Sequence, residues 1–331
     1  MVLTPIRRSR IPSPLEDQRA FDDFITQYLN KCDDLLSYTK RYPIVKESPI
    51  MTVQRQNRNP HEEHRWLRRD VYLYHQESSY DELKQVLFTY RADHLPLWMP
   101  QLLSVDRVES IVPNLCQISR YSFKSQGLKA NRDYCQLVVM REFLGDTAKP
   151  KPRIFTPSAS MANLAMMGRN QSSTSLVFAD NAFSSRGESP VDSPLPVKAL
   201  KSVRSMADFQ APHFAPSRNQ FAGLTQAPHD MEVEGGEAPR PIRRFQVVTV
   251  PVEHTACGAQ KGFVRAFYES YEEVREYSDG HVEWSCIHHS DFSGWVPAFM
   301  ADHSIAVAFP REAEALLEYV GRVRRGQLSN E

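Results

Sequence analysis

The stretch from Gly262 to Gly326, GFVRAFYESYEEVREYSDGHVEWSCIHHSDFSGWVPAFMADHSIAVAFPREAEALLEYVGRVRRG, decides how the rest of the chain is read. Phe263, Arg265, Phe267, Glu269 and Tyr271 alternate with Val264, Ala266, Tyr268 and Ser270. Beyond Ser278-Asp279-Gly280, residues Val282, Trp284, Cys286 and His288 alternate with Glu283, Ser285, Ile287 and His289. Period-two alternation on both sides of an Asp-Gly turn predicts an antiparallel hairpin. After a loop with Gly294 and Pro297, one amphipathic helix closes the chain. Its signals are Pro310 at a first turn, an apolar stripe of Ala313, Leu316, Leu317, Val320 and Val323, a basic end (Arg322, Arg324, Arg325) and a capping Gly326.

Bulk properties narrow the function classes. Forty basic and forty acidic residues cancel over 331 positions, so no net field favours nucleic acid or an anionic membrane. Hydrophobic content is 41%, and 23 prolines outnumber 13 glycines, the mark of a folded core diluted by unstructured sequence. Five cysteines (Cys32, Cys116, Cys135, Cys257, Cys286) lie scattered without CxxC spacing. The N-terminal MVLTPIRRSRIPSPLEDQ has no apolar core, and no run approaches the ~18 residues of a spanning helix. These features predict a cytoplasmic protein with reduced thiols, at most peripheral to membranes.

Upstream, residues 1–14 are basic and proline-punctuated and read as a flexible arm. From Leu15 the apolar positions Phe21, Phe24, Ile25, Tyr28, Leu29, Leu35 and Leu36 take helical spacing. Ile44–Val53 and Arg65–His75 flank the polar QNRNPHEEH and predict a first hairpin. Ser78 and Ser79 before Asp81 and Glu82 cap a helix over Tyr80–Arg91, and Pro96 and Pro100 break the pattern around Trp98. Strands are expected over Ile111–Lys124, Arg132–Leu144 and Arg243–His254. Residues 147–242 are rich in Ser, Pro, Ala, Asn and Gln without a sustained period and read as a disordered insert. The order predicts an α+β protein whose one discontinuous domain joins 15–146 to 243–326, with 327–331 as a tail.

Several of these segments resemble the START-like, Bet v 1-like superfamily of helix-grip folds. RDYCQLVVMREF (Arg132–Phe143) resembles its "RD-aromatic" strand, and FQVVTVPVEH the strand after it. The opening stretch resembles its last hairpin, with an Asp-x-x-Gly-x-x-Pro exit at Asp291, Gly294 and Pro297. The insert and the Trp98-Pro100-Leu102-Leu103 segment look most like uncharacterised fungal START-like proteins known only as a domain of unknown function. The resemblance implies a curved antiparallel sheet wrapped around a long C-terminal helix, enclosing one lipid or other hydrophobic ligand. It brings no catalytic residues and no cofactor.

On that reading Trp98, Val138, Met140, Phe267 and Trp284 line a cavity, Leu316 and Val320 cover it, and Arg120, Tyr134 and Arg265 orient a polar group. Alternation alone does not say which strand face is the lining one. Asp291, Gly294, Trp295 and Pro297 form the expected hinge of a gate. His254, Cys257, Cys286, His288 and His289 invite a metal reading, but their spacing reads as incidental, so no metal is expected. Neither GxSxG nor a phosphate-cradling glycine motif is present, and His289, Ser290 and Asp291 are too close along one strand to form a relay. Glu269 and Glu283 read as a solvated strand face before they read as acid–base groups. The basic runs Arg7–Arg10 and Lys198–Arg204, the apolar Phe299, Met300 and Phe309, and the Ser/Thr-Pro sites at Thr156, Ser189 and Ser193 add options for membrane contact and regulation. The expected function is binding, transfer or sensing of one hydrophobic ligand without chemistry. The alternatives are a helix-grip cyclase or hydrolase, or a module that binds a protein partner through 147–242.

Overall fold

The hairpin at the end of the chain forms in the register its turn demands. In the computed structural model, Phe267–Tyr277 (β10) pairs antiparallel with Val282–Asp291 (β11), with Val274 opposite Trp284. Gly280 takes φ +83°, the left-handed conformation that an Asp-Gly turn supplies without a Cβ clash, and its N–H bonds the Tyr277 carbonyl. The structure describes residues 3–57, 65–74, 77–124, 130–145, 239–293 and 298–326; of 298 and 299 it describes the backbone alone. The insert lies outside these residues, apart from its last positions 239–242.

Strands build outward from this hairpin into one sheet. Ile44–Ser48 (β2), Met51–Arg55 (β3), Leu67–Leu73 (β4), β11, β10, Pro241–Glu253 (β8), Asn131–Leu144 (β7), Cys116–Phe123 (β6) and Leu102–Val112 (β5) follow in that order, all antiparallel. The expected first hairpin is therefore three strands, and the strand expected from Ile111 is split between β5 and β6 at a turn where Asn114 has φ +57°. Phe263–Arg265 (β9) is a separate strand that pairs in parallel with β7.

Residues 1–14 are not a free arm throughout. Ile6–Arg7 (β1) pairs with Val252 and Glu253 of β8, and Leu3 and Ile11 are buried. The Arg8 guanidinium makes a two-pronged pair with Glu109 on β5. Short apolar contacts plus one bidentate ion pair tie down a segment whose composition alone reads as disordered.

Each face of the sheet is covered by a helix. Gln18–Thr39 (α1), started by the Asp17 carboxylate accepting from Ala20 N–H, buries Phe21, Ile25, Leu29, Cys32 and Leu36 against the outer face. That face contributes Ile118, Leu137, Val139, Val248, Val250, Tyr271 and Ile287. Ala298–Arg324 (α4) covers the inner face with Phe309, Ala313, Leu316, Tyr319 and Val320. It begins well before Pro310, which lies inside the helix rather than at its first turn. Val323, expected in the buried stripe, is exposed, while Gly326 at φ +65° ends the helix as a left-handed cap. Tyr80–Lys84 (α2) opens with a complete Ser79–Glu82 capping box, runs into a π-helical turn over Gln85–Thr89, and continues as Arg91–Trp98 (α3), with Pro96 inside.

Candidate functional site on the inner face

Strand parity assigns the sequence-derived candidates to one face or the other. Tyr134, Val138, Met140, Trp284, Leu316, Val320 and Trp98 meet in a single inner cluster with Phe245, Val247, Val274 and Ala313. Arg120, Arg265 and Phe267 do not join it. Arg120 is on the parity of Cys116 and Ile118, and donates to the Cys257 sulfur and to the carbonyls of Ala256 and Gly258. Arg265 pairs with Asp133, whose side chain points outward between those of the inner residues Arg132 and Tyr134. Tyr268 shares the inward parity of Ala266 and Val274, so Phe267 falls on the opposite one. Asp291 ends β11 by accepting from Ser293 N–H at 2.8 Å; Gly294, Trp295 and Pro297 lie outside the described residues.

The residues suspected of metal binding are divided by the sheet. Cys286 and His288 are directed inward, whereas His289 stacks on Trp66 and Cys257 packs in the outer cluster. Among the described residues no group of three His, Cys, Asp or Glu side chains is arranged to hold an ion. Glu269 and Glu283 are also outward: Glu269 accepts from Lys31 and Tyr271, and Glu283 from the Tyr277 hydroxyl.

A line of rings crosses the inner face. Phe123, Tyr134 and Tyr268 meet edge to face at 5.4 and 5.1 Å, Tyr268 stacks on His288 at 5.5 Å, and His288 lies 5.8 Å from Phe309 of α4. Such pairs favour a fixed geometry beyond simple burial.

Charges that the sequence reading missed sit among these rings. Arg91, placed by the turn after the π-helical segment, bonds Glu272 of β10 at 2.7 Å, with side chains 10% and 9% exposed. Arg69 of β4 is held between the rings of Trp284 and Phe309, at 4.3 and 4.6 Å, and donates to the Phe309 carbonyl. Glu312 projects from α4 toward Arg69, Glu272 and Arg91 and makes no hydrogen bond among the described residues. Burial pushes its carboxyl up to about 7, Glu272 adds to the shift, and the two arginines only partly oppose it. His288 is driven the other way, to about 3, by burial and then by His289 and Arg69, so its ring is neutral. For Arg91 burial opposes the charge, yet Glu272, Tyr121 and Tyr268 outweigh it and hold the guanidinium above its ordinary value. Glu272 gave a signal that alternation cannot decode: Glu272-Glu273 are adjacent on one strand, so one carboxylate must point to each face.

Two observations separate this face from a filled core. Arg91, Tyr268, His288 and Glu312 lie deep among the inner residues, yet each keeps some accessible surface. Buried polar groups here also have no hydrogen-bond partner among the described residues: both ends of the Gln136 amide, the hydroxyls of Thr249 and Ser290, and the indole N–H groups of Trp98 and Trp284. An unmet buried polar group costs about 1–3 kcal/mol, so a cluster of several on one face is a feature to be explained.

A sheet of this order gripping a long C-terminal helix is the START-like helix-grip fold. The chain superposes on human StAR-related lipid transfer protein 5 with a TM-score of 0.53 at 13% identity, covering 92% of this chain and 100% of that one. Against human STARD10 the TM-score is 0.52 at 8% identity, with 90% and 81% covered. A family model described as "Protein of unknown function (DUF3074)" matches residues 196–320, which take in β8 to β11 and most of α4. No curated protein matches the sequence.

Proposed function

We propose that this protein binds one amphiphilic, largely hydrophobic molecule between the inner face of the sheet and α4. The observation that carries this reading is the set of partnerless polar groups, Gln136, Thr249, Ser290 and the indoles of Trp98 and Trp284, within an otherwise apolar cluster. The apolar body of the ligand lies along Trp98, Val138, Met140, Leu316 and Val320, and its polar group meets Arg91, Glu272 or Gln136. The name of one protein sharing the fold, a lipid transfer protein, favours a lipid. Entry requires α4 to swing away and reclose, so the chain acts as a carrier or sensor in the cytoplasm, touching membranes transiently. Among the described residues no helix is long and apolar enough to cross a membrane. Residues 147–242 remain available for a protein partner.

Native mass spectrometry and lipid extraction of the purified chain test this. A copurifying amphiphile, and its movement between liposomes, is the expected result. An empty protein that also fails to transfer any lipid ends the reading.

A second reading rests on Glu312. A buried carboxyl titrating near 7, on the face that also carries a neutral His288, is the kind of group that general acid–base catalysis uses. If the ligand is recovered changed after incubation, and Glu312→Gln stops the change without releasing the ligand, the site is an enzyme's.

A further inference from the structure

Away from the inner face, two buried cysteines share one cluster beneath a loop. Cys135 is on the outer side of β7, and Cys257 is in the β8–β9 connection, turned in by a Cys257 N–H to His254 carbonyl bond. Both are 2% exposed, but Ala256 and Gly258 on either side of Cys257 are exposed, so one turn of loop separates its sulfur from water.

The surroundings of this pair are built, not incidental. Arg120 is the direct cross-strand neighbour of Cys135, and its Nε points at the Cys257 sulfur at 3.4 Å. The Arg265 guanidinium reaches the same sulfur at 3.9 Å and the Cys257 carbonyl at 2.9 Å, anchored by Asp133. Two cations on one sulfur favour the thiolate, the form that reacts with oxidants. The contact with Cys135 pulls Cys257 down first; burial opposes this, Arg120 and Arg265 reinforce it, and Cys257 settles at about 6. Cys135 is pushed up by the same contact and by burial and keeps its proton. The remaining thiols are the reverse: burial drives Cys116 and Cys286 up to about 12, and Cys32 well above its ordinary value.

We infer that Cys257 and Cys135 form a peroxide-sensitive dithiol, with Cys257 the reacting sulfur and Cys135 the resolving one. In the first step the Cys257 thiolate attacks one oxygen of hydrogen peroxide. An S–O bond forms, the O–O bond breaks, hydroxide departs, and Cys257 becomes a sulfenic acid. In the second the Cys135 sulfur attacks the Cys257 sulfur, the S–O bond breaks, and the departing hydroxide takes the Cys135 proton as water. Two sulfurs give up two electrons, and one peroxide is reduced to water and hydroxide. The disulfide staples the β8–β9 loop to β7 and closes a ring that contains the whole insert.

The test uses the full-length reduced protein at pH 7, treated with hydrogen peroxide, quenched with an alkylating agent and digested without reductant. A crosslinked Cys135–Cys257 peptide is expected, forming at least tenfold faster than oxidation of Cys32, Cys116 or Cys286. In Cys135→Ser the sulfenic acid on Cys257 should persist and be captured by dimedone. Arg120→Gln should slow the reaction several-fold and raise the pH midpoint of Cys257 alkylation. If wild-type Cys257 stays reduced, or oxidises no faster than the other cysteines, the inference is overturned whatever the variants do.

Discussion

The two faces of this sheet are made from the same strands, yet their buried polar groups have different fates. On the outer face Arg68 is clamped to Asp70, which also accepts from Ser285, while Arg244 and Gln246 share Asp33 and Glu273. On the inner face Gln136, Thr249 and Ser290 have no partner among the described residues, and the Glu312 carboxyl, near Arg69, Glu272 and Arg91, makes no hydrogen bond among them. The difference comes from the helices. α1 brings Asp33 and the Leu36 carbonyl to the outer networks, although Gln246 Oε1 and the Nε atoms of Arg244 and Arg275 stay without a partner among the described residues, whereas α4 brings mainly apolar side chains and one acid. On the outer face the side chain that carries each charge is paired, whereas on the inner face whole amide and hydroxyl groups are left without a partner among the described residues.

The largest test of the contrast removes an outer anion. Asp70→Ala strands the Arg68 guanidinium, 1% exposed, and should cost about 3–5 kcal/mol in chemical denaturation. The inner acid should behave in the opposite sense. The Glu312 carboxyl is raised to about 7, so its contribution is complete below the unfolded carboxylate range and is lost as pH rises through 7. Glu312→Gln should therefore match the wild type near pH 4 and exceed it by about 2–3 kcal/mol at pH 8. His288, held near 3, has the reverse sign: its contribution is present above the ordinary histidine range and falls away in acid.

Gln136→Leu and Gln246→Leu make the sharpest matched pair. The outer substitution removes two hydrogen bonds, to Asp33 and Glu273, and should destabilise by about 1–2 kcal/mol. The inner one removes none and should be neutral or stabilising by about 1 kcal/mol, while weakening ligand binding. The smallest effect belongs to the rim. Burial works against the Glu82 charge, but hydrogen bonds from Arg324 and Ser79 bring its carboxyl down to about 2. Its contribution is present above the ordinary carboxylate range and lost as pH falls through 2. Arg324→Gln should cost under about 1 kcal/mol at pH 7 and flatten the acid limb of an unfolding titration.

The hairpin was legible because its signals are local: an Asp-Gly turn, a clean alternation, a capped helix after it. Choosing the inner face was not, for a physical reason visible in particular strands. In β6 both Ile118 and Tyr121 are buried, so apolar periodicity cannot tell lining from outside. In β10 the even positions Tyr268, Glu272 and Val274 face inward, and nothing local says that the odd position Phe267 is on the other face. Arg91 and Arg69 were unreadable because a charge reads as exposed until its tertiary partners, Glu272 and the rings of Trp284 and Phe309, are known. The thiol pair joins residues more than a hundred positions apart, and no local spacing announces it.

Leu144 at the end of β7 is paired with Arg243 near the start of β8. The chain thus leaves the sheet and returns to it at neighbouring positions in adjacent strands, about 5 Å apart. For the architecture, everything in between occupies the place of a hairpin turn. Loop-closure entropy grows only with the logarithm of length, so this port tolerates lengthening, shortening or a grafted domain without disturbing either face. It is the natural address at which new regulation could be added to the molecule without rebuilding the sheet.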